Sequence, residues 1–169
     1  MKCGTVAVVG RANAGKSTLV NALVGEKVSI VSPKPQTTRD RIYGVLTTDE
    51  YQIVFEDTPG VYKAAGLLNS RMQKTVERTA RDTDLILFVL DGHDGLKDDD
   101  LNLLAKYAKI GAPLIVALTK TDIMQKEALP EKLVAVSAVE GVSEVVPVSA
   151  RKRRNVNELL TVILGYLQE

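Results

Sequence analysis

The segment Gly10-Arg11-Ala12-Asn13-Ala14-Gly15-Lys16-Ser17-Thr18 directly follows the apolar run Thr5-Val6-Ala7-Val8-Val9. A glycine, four residues, a second glycine, a lysine and a hydroxyl residue carry a specific chemistry when they lie between a buried strand and a helix. The glycines let the chain curl so that successive backbone N–H groups point inward, forming an anion site at a helix N-terminus. Asn13, Ala14, Gly15 and Thr18 would then line the phosphates. Lys16 would reach the β- and γ-phosphates, and Ser17 would set its hydroxyl on a magnesium ion. The chemistry expected is binding of a nucleoside triphosphate.

Other segments complete a site of this kind. Asp57-Thr58-Pro59-Gly60 closes an apolar stretch at 51–56. A carboxylate at the C-terminal end of such a strand is placed to hold Mg²⁺ through water. Gly60 can swing its N–H toward a γ-phosphate with no Cβ in the way. Thr119-Lys120-Thr121-Asp122 follows a strand at 113–118. Asp122 can accept hydrogen bonds from the ring N1–H and the exocyclic amine of guanine, whereas adenine offers an acceptor at the first position and nothing at the second. Lys120 can lay its aliphatic stem along the base. Ser149-Ala150-Arg151 comes after a strand at 145–148 and can offer a backbone N–H to guanine O6. Between 29 and 41, two prolines interrupt any regular ladder or helix, and Thr37 or Thr38 can bring a hydroxyl to the phosphates. That stretch reads as a loop ordered by the γ-phosphate.

The elements that must position these residues follow an alternating pattern. Strands are expected at 3–9, 42–48, 51–56, 84–90, 113–118 and 145–148, and helices at 16–25, 68–80, 98–110, 125–138 and 155–167. The runs Leu85–Leu90 and Leu114–Leu118 are continuously apolar, which suits strands covered on both faces. Asp49-Glu50 separates two strands closely enough for an antiparallel hairpin, so the sheet should be mixed. Pro130 interrupts the fourth helix, and Asn155 with Glu158 reads as a cap and its reciprocal partner. The expected class is α/β, a three-layer P-loop domain.

Composition sets outer limits. With 169 residues, 45% of them hydrophobic and 25% charged, the chain is one globular domain with a core of its own. A net charge of +1 argues for no general attraction to nucleic acid or acidic membranes. The single His93 cannot build a histidine-rich zinc site, and the single Cys3 reads as a small hydrophobe in the first strand. No apolar run approaches the length of a membrane span and no signal peptide opens the chain, which predicts a cytoplasmic location.

In this order the motifs resemble those of translation-factor-related GTPases. Gln36-Thr37-Thr38-Arg39, Asp57-Thr58-Pro59-Gly60 and the Asn13-containing phosphate loop narrow the resemblance to the Era-like bacterial ribosome-assembly GTPases. It spans the whole chain, 1–169, as a GTPase domain with no KH domain after it; the chain is either an excised domain or a protein working without that RNA reader. The resemblance implies a six-stranded, mainly parallel sheet, with GTP or GDP and Mg²⁺ as ligands. It also implies that Thr38 contacts the metal, and that Asn13 helps coordinate K⁺ beside the phosphates. Partners so implied are guanine nucleotide, 16S ribosomal RNA and the small ribosomal subunit, with the protein a monomer, cytoplasmic or peripheral at the inner membrane. Lys16, Thr38, Gly60 and Asn13 form the implied catalytic set. Val61 stands where Ras-like enzymes carry a water-orienting glutamine, so turnover is expected at roughly 10⁻⁴ to 10⁻² s⁻¹.

The chain departs from the family pattern at Thr119, where an asparagine is usual, and at Ala12 and Ala14, where proline and valine are usual. The first departure predicts weaker guanine affinity. Arg151-Lys152-Arg153-Arg154 is the one concentrated basic run, either a solvated face or a contact with RNA phosphates or with a KH domain. Three other functions compete: a GTP-binding module with negligible hydrolysis, the GTPase domain of a related tRNA- or ribosome-acting factor, and a small-molecule or nucleotide kinase. The kinase would need an arginine-rich lid that the sequence does not show.

Overall fold

Six strands form one sheet: β1 (Lys2–Gly10), β2 (Arg41–Thr47), β3 (Tyr51–Asp57), β4 (Leu85–Asp91), β5 (Leu114–Thr119) and β6 (Glu144–Pro147). The structure, a computed structural model, describes residues 2–10, 15–25, 41–57, 84–93, 98–108, 113–124 and 126–167. Strand order is β2-β3-β1-β4-β5-β6. The β2–β3 pair is antiparallel and the other four neighbouring pairs are parallel. The expected hairpin is closed by Thr48, whose Oγ1 accepts the amides of Glu50 and Tyr51 at 3.2 and 3.1 Å.

Alternation along the strands decides which helix covers which face. Leu85, Leu87 and Val89 of β4 pack with Leu19, Val20 and Leu23 of α1 (Lys16–Val24) and Leu159 and Ile163 of α4 (Val156–Gly165). Their neighbours Ile86, Phe88 and Leu90 pack with Leu104 and Tyr107 of α2 (Asp98–Ala108) and Val136 of α3 (Leu129–Ser137). The layers are therefore helices, sheet, helices. Both faces of β4 and β5 are covered, which explains why their sequences show no polar side. Burial of each of these aliphatic side chains contributes about 1.5–3 kcal/mol.

Two glycines shape the entry to α1. Gly10 ends β1 at φ 146°, and a Cβ there would stand 2.4 Å from the Val89 carbonyl oxygen. Gly15 has φ 98° and starts the helix, its carbonyl accepting the Leu19 amide at 2.9 Å.

Several expected element ends are corrected. The stretch 125–138 is not one helix: short 3-10 turns at Thr121–Ile123 and Lys126–Ala128 precede α3. Pro130 lies in the first turn of α3, where its missing N–H costs nothing, so it starts this helix rather than breaking it. Asn155 precedes α4 but makes no side-chain cap. Its backbone is left-handed, at φ 60°, and its Nδ2 donates to the Pro147 carbonyl at 2.9 Å, so the reciprocal cap with Glu158 does not form. Cys3 is exposed rather than part of the core. The helix expected at 68–80 lies outside the described residues. Among the described residues no helix is long and apolar enough to cross a membrane.

Candidate functional site

Parallel strands end on the same side of a sheet, so Gly10, Asp57, Asp91 and Thr119 share one edge. From β1 the chain moves to β3 on one side and to β4 on the other. Open α/β sheets bind ligands at the carboxyl edge beside such a switch of direction.

A cavity of about 220 Å³ opens there. Gly15 and Thr18 line it from the phosphate-loop end of α1. Thr119, Lys120, Asp122 and the exposed Ile123 line it from the end of β5, and Ala150 and Arg151 from the turn after β6. Segments more than 130 positions apart in sequence thus meet around one space. Of the residues read as phosphate binding, Gly15 and Thr18 meet Thr119, Lys120, Asp122, Ala150 and Arg151 of the set read as base recognition around this space.

Asp122 is held in place from below. Ser149 is fully buried, and its hydroxyl donates to Asp122 Oδ1 at 2.9 Å. The same Oγ accepts the Lys152 amide at 3.1 Å. An ionised carboxylate has about four lone-pair sites, so Asp122 keeps acceptor capacity for a ligand. The Ser149 amide donates to the Arg154 carbonyl at 3.1 Å, so the backbone N–H expected to face guanine O6 from this turn would come from Ala150 or Arg151. Thr121 fastens the base loop to the strand beside it, its hydroxyl donating to the Val148 carbonyl at 3.0 Å.

Lys120 is strained and tethered. Its backbone is left-handed, at φ 60°, which costs a non-glycine residue about 1 kcal/mol. Its Nζ lies 2.7 Å from Asp91 Oδ2. Asp91 is in turn oriented by the His93 amide, which donates to Oδ1 at 2.8 Å. Thr119 is 4% exposed, and its hydroxyl donates to the Leu90 carbonyl at 3.2 Å. That hydroxyl ties β5 to β4.

On the phosphate side, Lys16 Nζ donates to the Gly10 carbonyl at 2.8 Å. Ser17 is exposed on the first turn of α1, and Asp57 is the last residue of β3. Asn13, Ala14, Thr37, Thr38, Gly60 and Val61 lie outside the described residues. Sequence reasoning missed Asp91, Thr121 and Ile123. Asp91 had a readable signal, a carboxylate ending an unbroken apolar strand at the ligand-binding edge; Thr121 and Ile123 had none.

Comparison with known proteins agrees with this geometry. Residues 5–120 match the family described as 50S ribosome-binding GTPase. The chain is 38% identical over 169 residues to GTPase Era of Clostridium kluyveri, covering 100% of this chain and 58% of that protein. Two solved structures are similar over 100% of this chain and 58% of theirs, each at 39% identity. One is a variant of Aquifex aeolicus Era bound to GDP.AlF4⁻, with a TM-score of 0.78. The other is Era in complex with MgGDPNP and nucleotides 1506–1542 of 16S ribosomal RNA, with a TM-score of 0.79. The chain therefore spans somewhat more than half the length of these Era relatives.

Proposed function

Since the chain belongs to the 50S ribosome-binding GTPase family, we propose that it works as a Mg²⁺-dependent GTP switch in small ribosomal subunit assembly. The switch binds GTP at the carboxyl edge and hydrolyses it to GDP and phosphate. The observation that carries the reading is the cavity where Gly15 and Thr18 face Asp122, with Asp122 held by Ser149. That arrangement joins a phosphate cradle to a carboxylate complementary to the N1–H and amine of guanine. The family description names the 50S particle, whereas the Era complex holds a segment of 16S RNA. The 16S relative matches over the whole chain, so the small subunit is favoured.

Each residue's part follows from its chemistry. Lys16 exchanges the Gly10 carbonyl for phosphate oxygens, a stronger charge-assisted bond. Ser17 and Asp57 supply a hydroxyl and a carboxylate, the hard oxygen donors that Mg²⁺ takes when phosphates and water complete its shell. The metal, when bound, neutralises charge on the β- and γ-oxygens. Thr38 and Gly60 would close over the γ-phosphate, and Asn13 would hold K⁺ beside it. Lys120, tethered by Asp91, would flank the base with its stem. Most of the catalysis is then positioning and electrostatic stabilisation.

Val61 in place of a water-orienting side chain favours the second reading, a GTP-binding module with negligible hydrolysis. Single-turnover hydrolysis of GTP and ATP in Mg²⁺, compared in K⁺ and Na⁺ at equal ionic strength, separates the two. GTP-selective turnover that rises in K⁺ is expected. Turnover indifferent to the cation removes the K⁺ role of Asn13, and GTP binding without turnover establishes the module instead.

A further inference from the structure

We infer that the hairpin 149–154, which carries four consecutive cations, is a contact surface for the phosphate backbone of RNA, coupled to the guanine site through Ser149. Arg151, Lys152, Arg153 and Arg154 are all exposed. None of their cationic groups has a hydrogen bond or a carboxylate partner among the described residues, whereas Lys120 is paired with Asp91. In a chain with 22 basic and 21 acidic residues, four unneutralised cations in a row are a local excess that its near-zero net charge conceals.

The run is also held in shape. Ser149 and Arg154 exchange backbone hydrogen bonds at 3.1 and 2.9 Å, and the Arg153 amide donates to the Ala150 carbonyl at 3.3 Å. Arg153 sits at φ 54°, a left-handed position that glycine would fill without strain. A long cationic side chain kept where the backbone disfavours it points to a use for that side chain.

Two links tie this surface to the base site. Arg151 lines the cavity, and Ser149 Oγ lies between the Asp122 carboxylate and the Lys152 amide. When a base takes up the free acceptor capacity of Asp122, the Ser149 hydrogen bond and the hairpin behind it feel the change. Cation spacing would then respond to the nucleotide.

The geometry favours RNA over an anionic membrane. Peripheral membrane segments set apolar side chains beside their cations and insert them; the only nonpolar residue between 149 and 155 is Ala150. A rigid turn with four donor-rich side chains suits phosphates held at fixed spacing. The choice of RNA rests on the ribosomal reading proposed above; the cationic surface itself does not.

The test is binding of a fluorescent RNA hairpin of about 20 nucleotides to the full chain, titrated from about 50 to 200 mM KCl. It is run without nucleotide and with a non-hydrolysable GTP analogue, alongside vesicles containing phosphatidylglycerol. The triple variant Lys152→Ala/Arg153→Ala/Arg154→Ala should weaken RNA binding roughly tenfold or more and flatten the salt slope by about 2, with GTP turnover unchanged. Arg153→Gly should raise the melting temperature by about 2–4 °C while weakening RNA binding. Ser149→Ala should shrink the difference in RNA affinity between the two nucleotide conditions. Unchanged RNA affinity and salt slope in the triple variant would overturn the inference. So would a loss confined to vesicles, which would make the hairpin a membrane contact. Failure to hydrolyse GTP, with RNA binding still lost in the triple variant, would sink the proposed activity and leave this surface standing.

Discussion

Asp122 and Ser149 form a unit in which one side chain would recognise guanine and the other holds the first in place. The carboxylate is half-buried and the hydroxyl beneath it fully buried. Rotation of Asp122 would therefore strand a buried polar group, at a cost of about 1–3 kcal/mol. Asp122→Asn replaces an acceptor with a donor facing the N1–H of guanine and restores a match to xanthine. GTP affinity should fall roughly 10²- to 10³-fold, with preference moving to xanthosine triphosphate, as competition calorimetry would show. Ser149→Ala should cost roughly tenfold in GTP affinity while keeping guanine over xanthine. Should both variants bind GTP like the parent, the base lies elsewhere. On the phosphate side, Lys16→Ala should abolish measurable triphosphate binding, because nothing else described offers a cation at the Gly10 carbonyl.

The described α-helices divide into pairs, and each pair is bound to the sheet by one alternate set of strand residues. Leu159 of α4 is fully buried against the face that also takes α1. Leu159→Ala should lower stability by about 2–5 kcal/mol in urea unfolding, and a loss below about 1 kcal/mol would mean that α4 does not close the core. The same alternation made much of this fold legible in advance. Continuous apolar runs marked β4 and β5, and Asp49-Glu50 marked the β2–β3 turn. What stayed illegible was local competition for backbone partners. The Asn155 amide had two uses, as a helix cap or as a bond to Pro147, and only the folded turn after β6 decides between them. Pro130 likewise reads as a breaker until the 3-10 turns before it set where α3 begins. In the site, motifs disclosed most of the residues that line the cavity, while Asp91, which holds Lys120, lies outside every motif and Thr121's bond to Val148 shows only in the folded chain.

For the whole molecule, the site joins ends of the chain that the sheet alone would leave independent, α1 on one side and the turns after β5 and β6 on the other. A ligand filling that space should therefore stabilise the domain as one body. GDP at about 100 times its dissociation constant should add about 2.7 kcal/mol, a rise of roughly 5–11 °C in melting temperature, with ADP giving none. A rise shared equally by ADP would contradict base selection by Asp122. The strand that leads into this site begins far from it: Cys3 lies seven positions before Gly10 along β1, roughly 20 Å away at the opposite edge of the sheet. It is exposed and is the sole cysteine of the chain. Nature has thus left a single attachment point on the quiet side of the domain. A maleimide dye placed there would serve as a fixed origin for energy-transfer distances to a labelled nucleotide or RNA, without a cysteine having to be engineered or removed.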